Sequence, residues 1–141
     1  MADASAILID TSVWIRFFRS ANSPEAKRLD TLLSMGLVAT CAPIRVEVLS
    51  GAPNKREFER LRDLFVSLIE FELPHDVWTR MEEHRFTLAR RGYAASLIDL
   101  LIALTAQQRQ ASVWTLDEDF EHIATVIPIA RYHPSLVGNS S

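Results

Sequence analysis

The chain has 141 residues, of which 48% are hydrophobic and 23% are charged, and its formal net charge is −3. This size and composition are typical of one globular domain with a substantial core, so we expect residues 1–141 to form a single domain. No apolar run approaches the roughly 20 residues that cross a bilayer, and the first five residues lack the features of a signal peptide. Because Cys41 is the only cysteine, no internal disulfide can form, and we expect a cytoplasmic protein with no membrane partner.

The charged residues give mixed indications about nucleic acid. A net negative charge argues against it, since phosphate-binding proteins usually carry a basic excess. However, Lys27 and Lys55 are the only lysines among 15 basic residues, and the others are arginines, whose planar guanidinium groups bind phosphate through paired hydrogen bonds. Clusters such as Arg85, Arg90 and Arg91 are equally typical of solvated helix faces. Charge alone therefore leaves the function open.

The first predicted element is a buried strand over residues 6–9 that ends at a single carboxylate, Asp10. An apolar, β-branched run of this length is typical of a parallel strand covered on both faces. Ligands collect at the carboxyl ends of such strands, which favours a site at Asp10. Aspartate is also a good N-cap, and the apolar spacing of Val13, Trp14, Phe17 and Phe18 predicts that a helix follows. Both roles remain open for Asp10 at this point.

The middle of the chain alternates helices with strands. We predict helices over residues 24–35, 43–51, 58–65 and 77–91, with strands at 37–40 and, partly exposed, at 68–73. Glu47 lies on or beside the apolar face of the second of these helices. Charged side chains are seldom buried unless they are paired or bind a metal. Glu47 is therefore a candidate ligand, although an exposed position or an ion pair with Arg45 or Arg16 would explain it equally.

The last third contains the second dense apolar stretch. A helix over residues 97–110 is apolar nearly all round, which predicts a central position, and Asp99 is its lone charge near the start. Ser96 could form a capping box with Asp99, but aspartate is short for that contact, which favours a site carboxylate. A strand at 111–116 ends at Asp117. We then expect a short helix at 121–124, an edge strand at 126–130, and a chain that trails off from Tyr132 into a mobile tail over 134–141.

This alternation predicts an α/β three-layer sandwich with a mainly parallel sheet of about five strands. Acids from distant segments would then meet at one edge of the sheet. The candidates are Asp10, Glu47, Asp99 and Asp117. Clustered carboxylates repel one another, so a cation must neutralise them, and hard oxygen ligands favour Mg²⁺ or Mn²⁺ over zinc. Such a site suits metal-assisted hydrolysis of a phosphodiester.

Four motifs in this order resemble the PIN-domain ribonucleases, and within them the VapC-type toxins of type II toxin–antitoxin pairs. The motifs are residues 7–15, 44–51, 98–103 and 115–120. The resemblance implies a Mg²⁺- or Mn²⁺-dependent endoribonuclease that cuts structured RNA, such as tRNA or rRNA. It also implies silencing by a small antitoxin whose tail wraps the toxin, and assembly as a homodimer or a toxin–antitoxin hetero-oligomer.

The resemblance assigns roles to individual residues. Asp10, Glu47 and Asp99 correspond to the core metal-site acids and Asp117 to the fourth, so that these four are the expected catalytic and metal-binding residues. Asp119 is a possible helper. The remaining candidates are hydroxyls that would hold waters or carboxylates: Thr11, Ser12 and Thr115.

Other functions fit parts of the pattern. A haloacid-dehalogenase-type phosphatase also has an aspartate after its first strand, but it needs a second acid two positions later, where this chain has Ser12. A receiver-like domain needs a lysine late in the chain, and Lys55 is the last one here. A non-catalytic module that binds a metal or a partner through its acids stays open.

Overall fold

Seven helices and five strands lie along residues 6–134, the part of the chain that this computed structural model describes, and the first three connections between strands each hold two helices. The elements are β1 (Ile7–Ile9), α1 (Thr11–Arg19), α2 (Pro24–Ser34), β2 (Val38–Cys41), α3 (Ala42–Ser50), α4 (Lys55–Val66), β3 (Ile69–Phe71), α5 (Val77–Arg90), α6 (Leu97–Arg109), β4 (Ser112–Trp114), α7 (Asp119–Ile123) and β5 (Ala130–Arg131). Within the described residues no helix is long and apolar enough to cross a membrane.

The five strands form one sheet in the order β3-β2-β1-β4-β5, and every neighbouring pair is parallel. The predicted three-layer α/β sandwich is confirmed. The central strand β1 is buried along its whole length, as the apolar run predicted. Because all strands point the same way, the segments that follow β1 and β4 meet at one edge of the sheet. That edge carries the candidate site.

Two helices position this edge. The helix α6 is buried continuously from Leu100 to Ala106, which confirms its predicted central position. Ser96 caps it by accepting a hydrogen bond from the backbone N–H of Asp99 at 3.0 Å. On α1, Trp14 is fully buried and its ring centroid lies 4.7 Å from that of Phe65 on α4. These contacts fix the first turns of α1 and α6 at the carboxyl edge.

The predicted C-terminal segment needs correction. The edge strand expected at 126–130 is β5 at Ala130–Arg131, because the turn after α7 continues to Ile127, whose N–H donates to the Ile123 carbonyl at 2.9 Å. The chain does not trail off at Tyr132, since its N–H donates to the Val113 carbonyl at 2.8 Å and extends the pairing with β4. Except for residue 134, the predicted mobile tail lies outside the described residues.

Candidate active site

Asp10, directly after β1, is held by several donors that all reach one of its oxygens. The hydroxyls of Ser12 and Thr115 donate to Oδ2 at 2.7 and 2.8 Å, and the Ser12 backbone N–H lies 3.4 Å from the same atom. The residue is only 5% exposed. No described residue donates to the other oxygen, Oδ1. Asp10 is therefore both the N-cap of α1 and a buried carboxylate with one oxygen left for a ligand.

The same two hydroxyls connect Asp10 to the loop after β4. Thr115 Oγ1 accepts the backbone N–H of Asp117 at 3.0 Å, and Ser12 Oγ accepts that of Leu116 at 3.0 Å. Each hydroxyl has one hydrogen, which it donates to Asp10, so its lone pairs remain for these amides. A chain of hydrogen bonds thus sets the position of Asp117 relative to Asp10.

Three further carboxylates converge at this edge. One oxygen each of Asp99, Asp117 and Asp119 lies within 4.8 Å of the others. The Asp119 backbone N–H donates to Asp117 Oδ1 at 2.9 Å, which orients the Asp117 side chain at the start of α7. Among the described residues, this is the group of acids close enough to share one ion. The sequence assigned Asp119 only a possible helping role, and the structure places it beside Asp117.

The electrostatics of the edge are clearest at Asp99, in the first turn of α6. The pKa of its carboxyl is raised from 3.8 to about 7, mainly by partial burial and then by the charges of Asp10, Asp117 and Asp119, while the hydrogen bond with Ser96 lowers it. In the absence of a cation, the ionised form of Asp99 is therefore costly. Asp10 lies outside the 4.8 Å group, but its charge affects the pKa of Asp99 more than that of Asp117 does.

Glu47 is exposed on α3 and does not join the three-acid group. Its Oε1 accepts a hydrogen bond from the Thr11 hydroxyl at 2.6 Å, and Thr11 is the residue after Asp10. The two arginines that offered an alternative explanation are paired elsewhere. Arg45 contacts Glu70 at 2.8 Å, and Arg16 contacts Glu25 at 3.1 Å. Glu47 thus lies at the flank of the acidic edge and is oriented towards it by Thr11.

The donor set fits a hard divalent cation. The convergent groups are carboxylate oxygens, the ligands that Mg²⁺ and Mn²⁺ prefer. The raised pKa of Asp99 indicates negative charge that a cation would neutralise. A phosphatase-type arrangement is not supported, because the group two positions after Asp10 is the Ser12 hydroxyl that donates to it.

Comparison with known protein families identifies the family of this chain. The model of the PIN domain matches residues 7–126. The chain belongs to the PIN-domain family. Ribonuclease VapC11 of Mycobacterium tuberculosis is 34% identical over 124 residues, which cover 85% of this chain and 92% of that protein. The resemblance to VapC-type PIN-domain ribonucleases and the assignment to the nuclease class are thereby confirmed.

Solved structures agree with this PIN fold. The chain aligns with VapBC2 from Rickettsia felis, solved with a DNA fragment from its promoter, at a TM-score of 0.70, 20% identity, and coverage of 90% of this chain and 97% of that one. It also aligns with VapC20 of Mycobacterium tuberculosis, described as a sarcin–ricin loop cleaving toxin. The TM-score is 0.62 at 16% identity, and the alignment covers 90% of this chain and 100% of that one. PIN-domain nucleases generally use divalent metal ions, which the acidic cluster of this chain suits.

Proposed function

We propose that this chain is a Mg²⁺- or Mn²⁺-dependent endoribonuclease toxin that hydrolyses phosphodiester bonds in structured RNA, tRNA or rRNA. The observation that carries the proposal is the convergence of Asp99, Asp117 and Asp119 within 4.8 Å beside the buried Asp10. Membership of the PIN family and the likeness to VapC ribonucleases support the reaction class. The RNA class follows from the resemblance to VapC toxins.

We infer that Asp10, Glu47, Asp99 and Asp117 hold the metal, with Asp119 assisting. A divalent ion bound there would activate a water molecule for attack on phosphorus and neutralise charge on the leaving oxygen. The chain itself supplies orientation. Ser12 and Thr115 fix one oxygen of Asp10 and the loop that carries Asp117. Thr11 directs Glu47 towards the edge from the flank.

We further propose that a small antitoxin silences the enzyme by occupying an apolar groove between α1, α3 and α4. Ile15 and Phe18, which line this groove of about 400 Å³, are 43% and 38% exposed. Trp14 also lines it, and its buried Nε1–H has no acceptor among residues 6–134. Thr11 and Glu47 also line the groove, so a bound segment would contact the flank of the acidic edge. The VapBC2 structure named above is of a toxin–antitoxin complex, which supports this assembly.

The assembly is tested by co-expression with the protein encoded by a neighbouring short gene. We expect growth arrest by the chain alone, rescue by the antitoxin, and loss of rescue for Phe18→Asp, which places a charge in the groove. Size-exclusion chromatography of the chain with and without the antitoxin distinguishes a homodimer from a hetero-oligomer. Undiminished rescue of Phe18→Asp would contradict the location of the groove contact.

The catalytic proposal is tested with purified protein and a mixture of tRNA and rRNA, in EDTA, Mg²⁺ or Mn²⁺. We expect cleavage only with metal, and none for Asp10→Asn or Asp99→Asn. Asp63→Asn, at an exposed position on α4, is the matched control and should cleave like the wild type. Tight Mn²⁺ binding without cleavage of either RNA would instead favour the non-catalytic binding module.

A further inference from the structure

A second cavity, separate from the apolar groove, is connected to the acidic edge through Thr115. It has a volume of about 440 Å³ and lies between the start of α2 and the ends of β4 and β5. The residues that matter for its chemistry are Arg28, Thr115, Leu116, Tyr132 and His133. Thr115 belongs to both sites, since its hydroxyl lies 2.8 Å from Asp10 Oδ2. A ligand in this pocket would therefore lie next to the reacting centre.

The pocket wall is built from anchored groups. Tyr132 is fixed by its backbone hydrogen bond to Val113, and its ring centroid lies 5.4 Å from that of the buried Trp114. Arg28 Nε donates to the Tyr132 hydroxyl at 2.6 Å. This contact places a guanidinium and an aromatic ring side by side at a defined position, although they are 104 residues apart in sequence.

The remaining donors of Arg28 are available to a ligand. Only Nε has an acceptor among residues 6–134, so both terminal nitrogens lack one there. The nearby Glu25 does not neutralise Arg28, because its carboxylate contacts Arg16 at 3.1 Å. A partly buried guanidinium with four N–H donors left is suited to a phosphate or to the acceptor edge of a base.

We infer that this pocket binds one nucleotide of the RNA adjacent to the phosphodiester that is cleaved, with Arg28 and Tyr132 as its binding residues. The inference rests on the proposed ribonuclease function. Its volume lies in the range of roughly 300–1,000 Å³ that is usual for small-molecule sites. Single-stranded RNA is recognised by aromatic stacking and by arginine donors to base edges and phosphates, and both elements are present here.

The test separates this role from a merely structural link between α2 and β5. In Arg28→Gln the amide Nε2 occupies the same position along the side chain as the arginine Nε, so it can still donate to the Tyr132 hydroxyl, but the charge and the outer donors are lost. We expect KM for RNA to rise about tenfold with kcat within about twofold. The matched control is Arg62→Gln on α4, because Arg62 lies 5.7 Å from the Phe58 ring centroid, much as Arg28 lies 5.9 Å from that of Tyr132. Equal KM values for the two variants would overturn the inference.

A binding measurement keeps the pocket testable if no cleavage is found. The metal-free chain is titrated with each of the four nucleoside 5′-monophosphates, and the backbone amide resonances of Thr115, Leu116 and Tyr132 are followed by NMR. We expect saturable shifts for at least one nucleotide, weakened at least fivefold by Arg28→Gln. If the wild type cleaves no RNA, the proposed function fails and this titration alone decides the pocket. If it cleaves RNA and Arg28→Gln matches its control, only the pocket assignment fails.

Discussion

Replacing Asp99 by asparagine should stabilise the metal-free protein, and more so as the pH rises. The pKa of Asp99 is about 7 in the folded chain and 3.8 in the unfolded reference, so the native state binds this proton more tightly. Between these two values, stability falls as pH rises, and the loss is complete above pH 7. Each pH unit corresponds to about 1.4 kcal/mol, so the interval from pH 5 to 7 gives about 2.7 kcal/mol. Because Asp99 is partly exposed, we halve this to about 1–1.5 kcal/mol.

Urea denaturation in EDTA at pH 5, 6, 7 and 8 measures this difference. The curve of Asp99→Asn should diverge upwards from that of the wild type between pH 5 and 7, whereas the control Asp63→Asn should run parallel to it. Adding Mn²⁺ at about 100 times its dissociation constant should raise the free energy of unfolding of the wild type by about 2.7 kcal/mol. The increase should be clearly smaller for Asp99→Asn. Parallel pH curves for Asp99→Asn and the wild type would refute the electrostatic reasoning, whatever the variants do to RNA.

Four other substitutions or treatments test the rest of the site. Thr115→Val removes the donor to Asp10 and should cost about 1–3 kcal/mol in urea denaturation and lower cleavage. The control Thr105→Val should be neutral or stabilising, because the buried Thr105 hydroxyl has no partner among residues 6–134. Asp10→Asn should lower stability by about 1–2 kcal/mol, since a neutral acceptor binds its donors less strongly than a carboxylate. Burial raises the pKa of the Cys41 thiol to about 11, so Ellman's reagent at pH 8 should react only after unfolding. Glu47→Gln should weaken Mn²⁺ binding in calorimetry less than Asp99→Asn does, because Glu47 lies at the flank.

The parts of the site that could be predicted from sequence are those that follow from the ends of strands. A buried strand that stops at Asp10 and another that stops before Asp117 must meet at one edge when the sheet is parallel. The lone charge of Asp99 in an otherwise apolar helix had to find a polar partner or a ligand. Hydrophobic periodicity carries this information directly, and the structure brings Asp99 and Asp117 within 4.8 Å of each other, while Asp10 lies outside that group.

The parts of the site that could not be predicted depend on tertiary hydrogen bonds, which no local sequence pattern encodes. The sequence could not show that Ser12 and Thr115 donate to the same oxygen of Asp10, because they are 103 residues apart. The ordered position of Tyr132 next to β5 was not predicted either. The strand has two residues, Ala130–Arg131, which are too few to produce a period-two pattern. A tyrosine next to such a short strand, with a basic residue on a distant helix, gives no sequence signal for the pocket that they form.

The two most constrained carboxylates of the edge meet the cost of their charge in opposite ways. Asp10 is nearly inaccessible to water but accepts two hydroxyl donors and a backbone N–H at one oxygen, so its burial is offset by hydrogen bonds. Asp99 is less buried but has the Ser96 contact alone to lower its pKa against three neighbouring charges. In the proposed site a cation would therefore gain most by neutralising the Asp99 side of the cluster, while Asp10 would offer it an oxygen in a fixed position. The ligand that binds best is one that leaves the donors of Asp10 in place and removes the repulsion at Asp99.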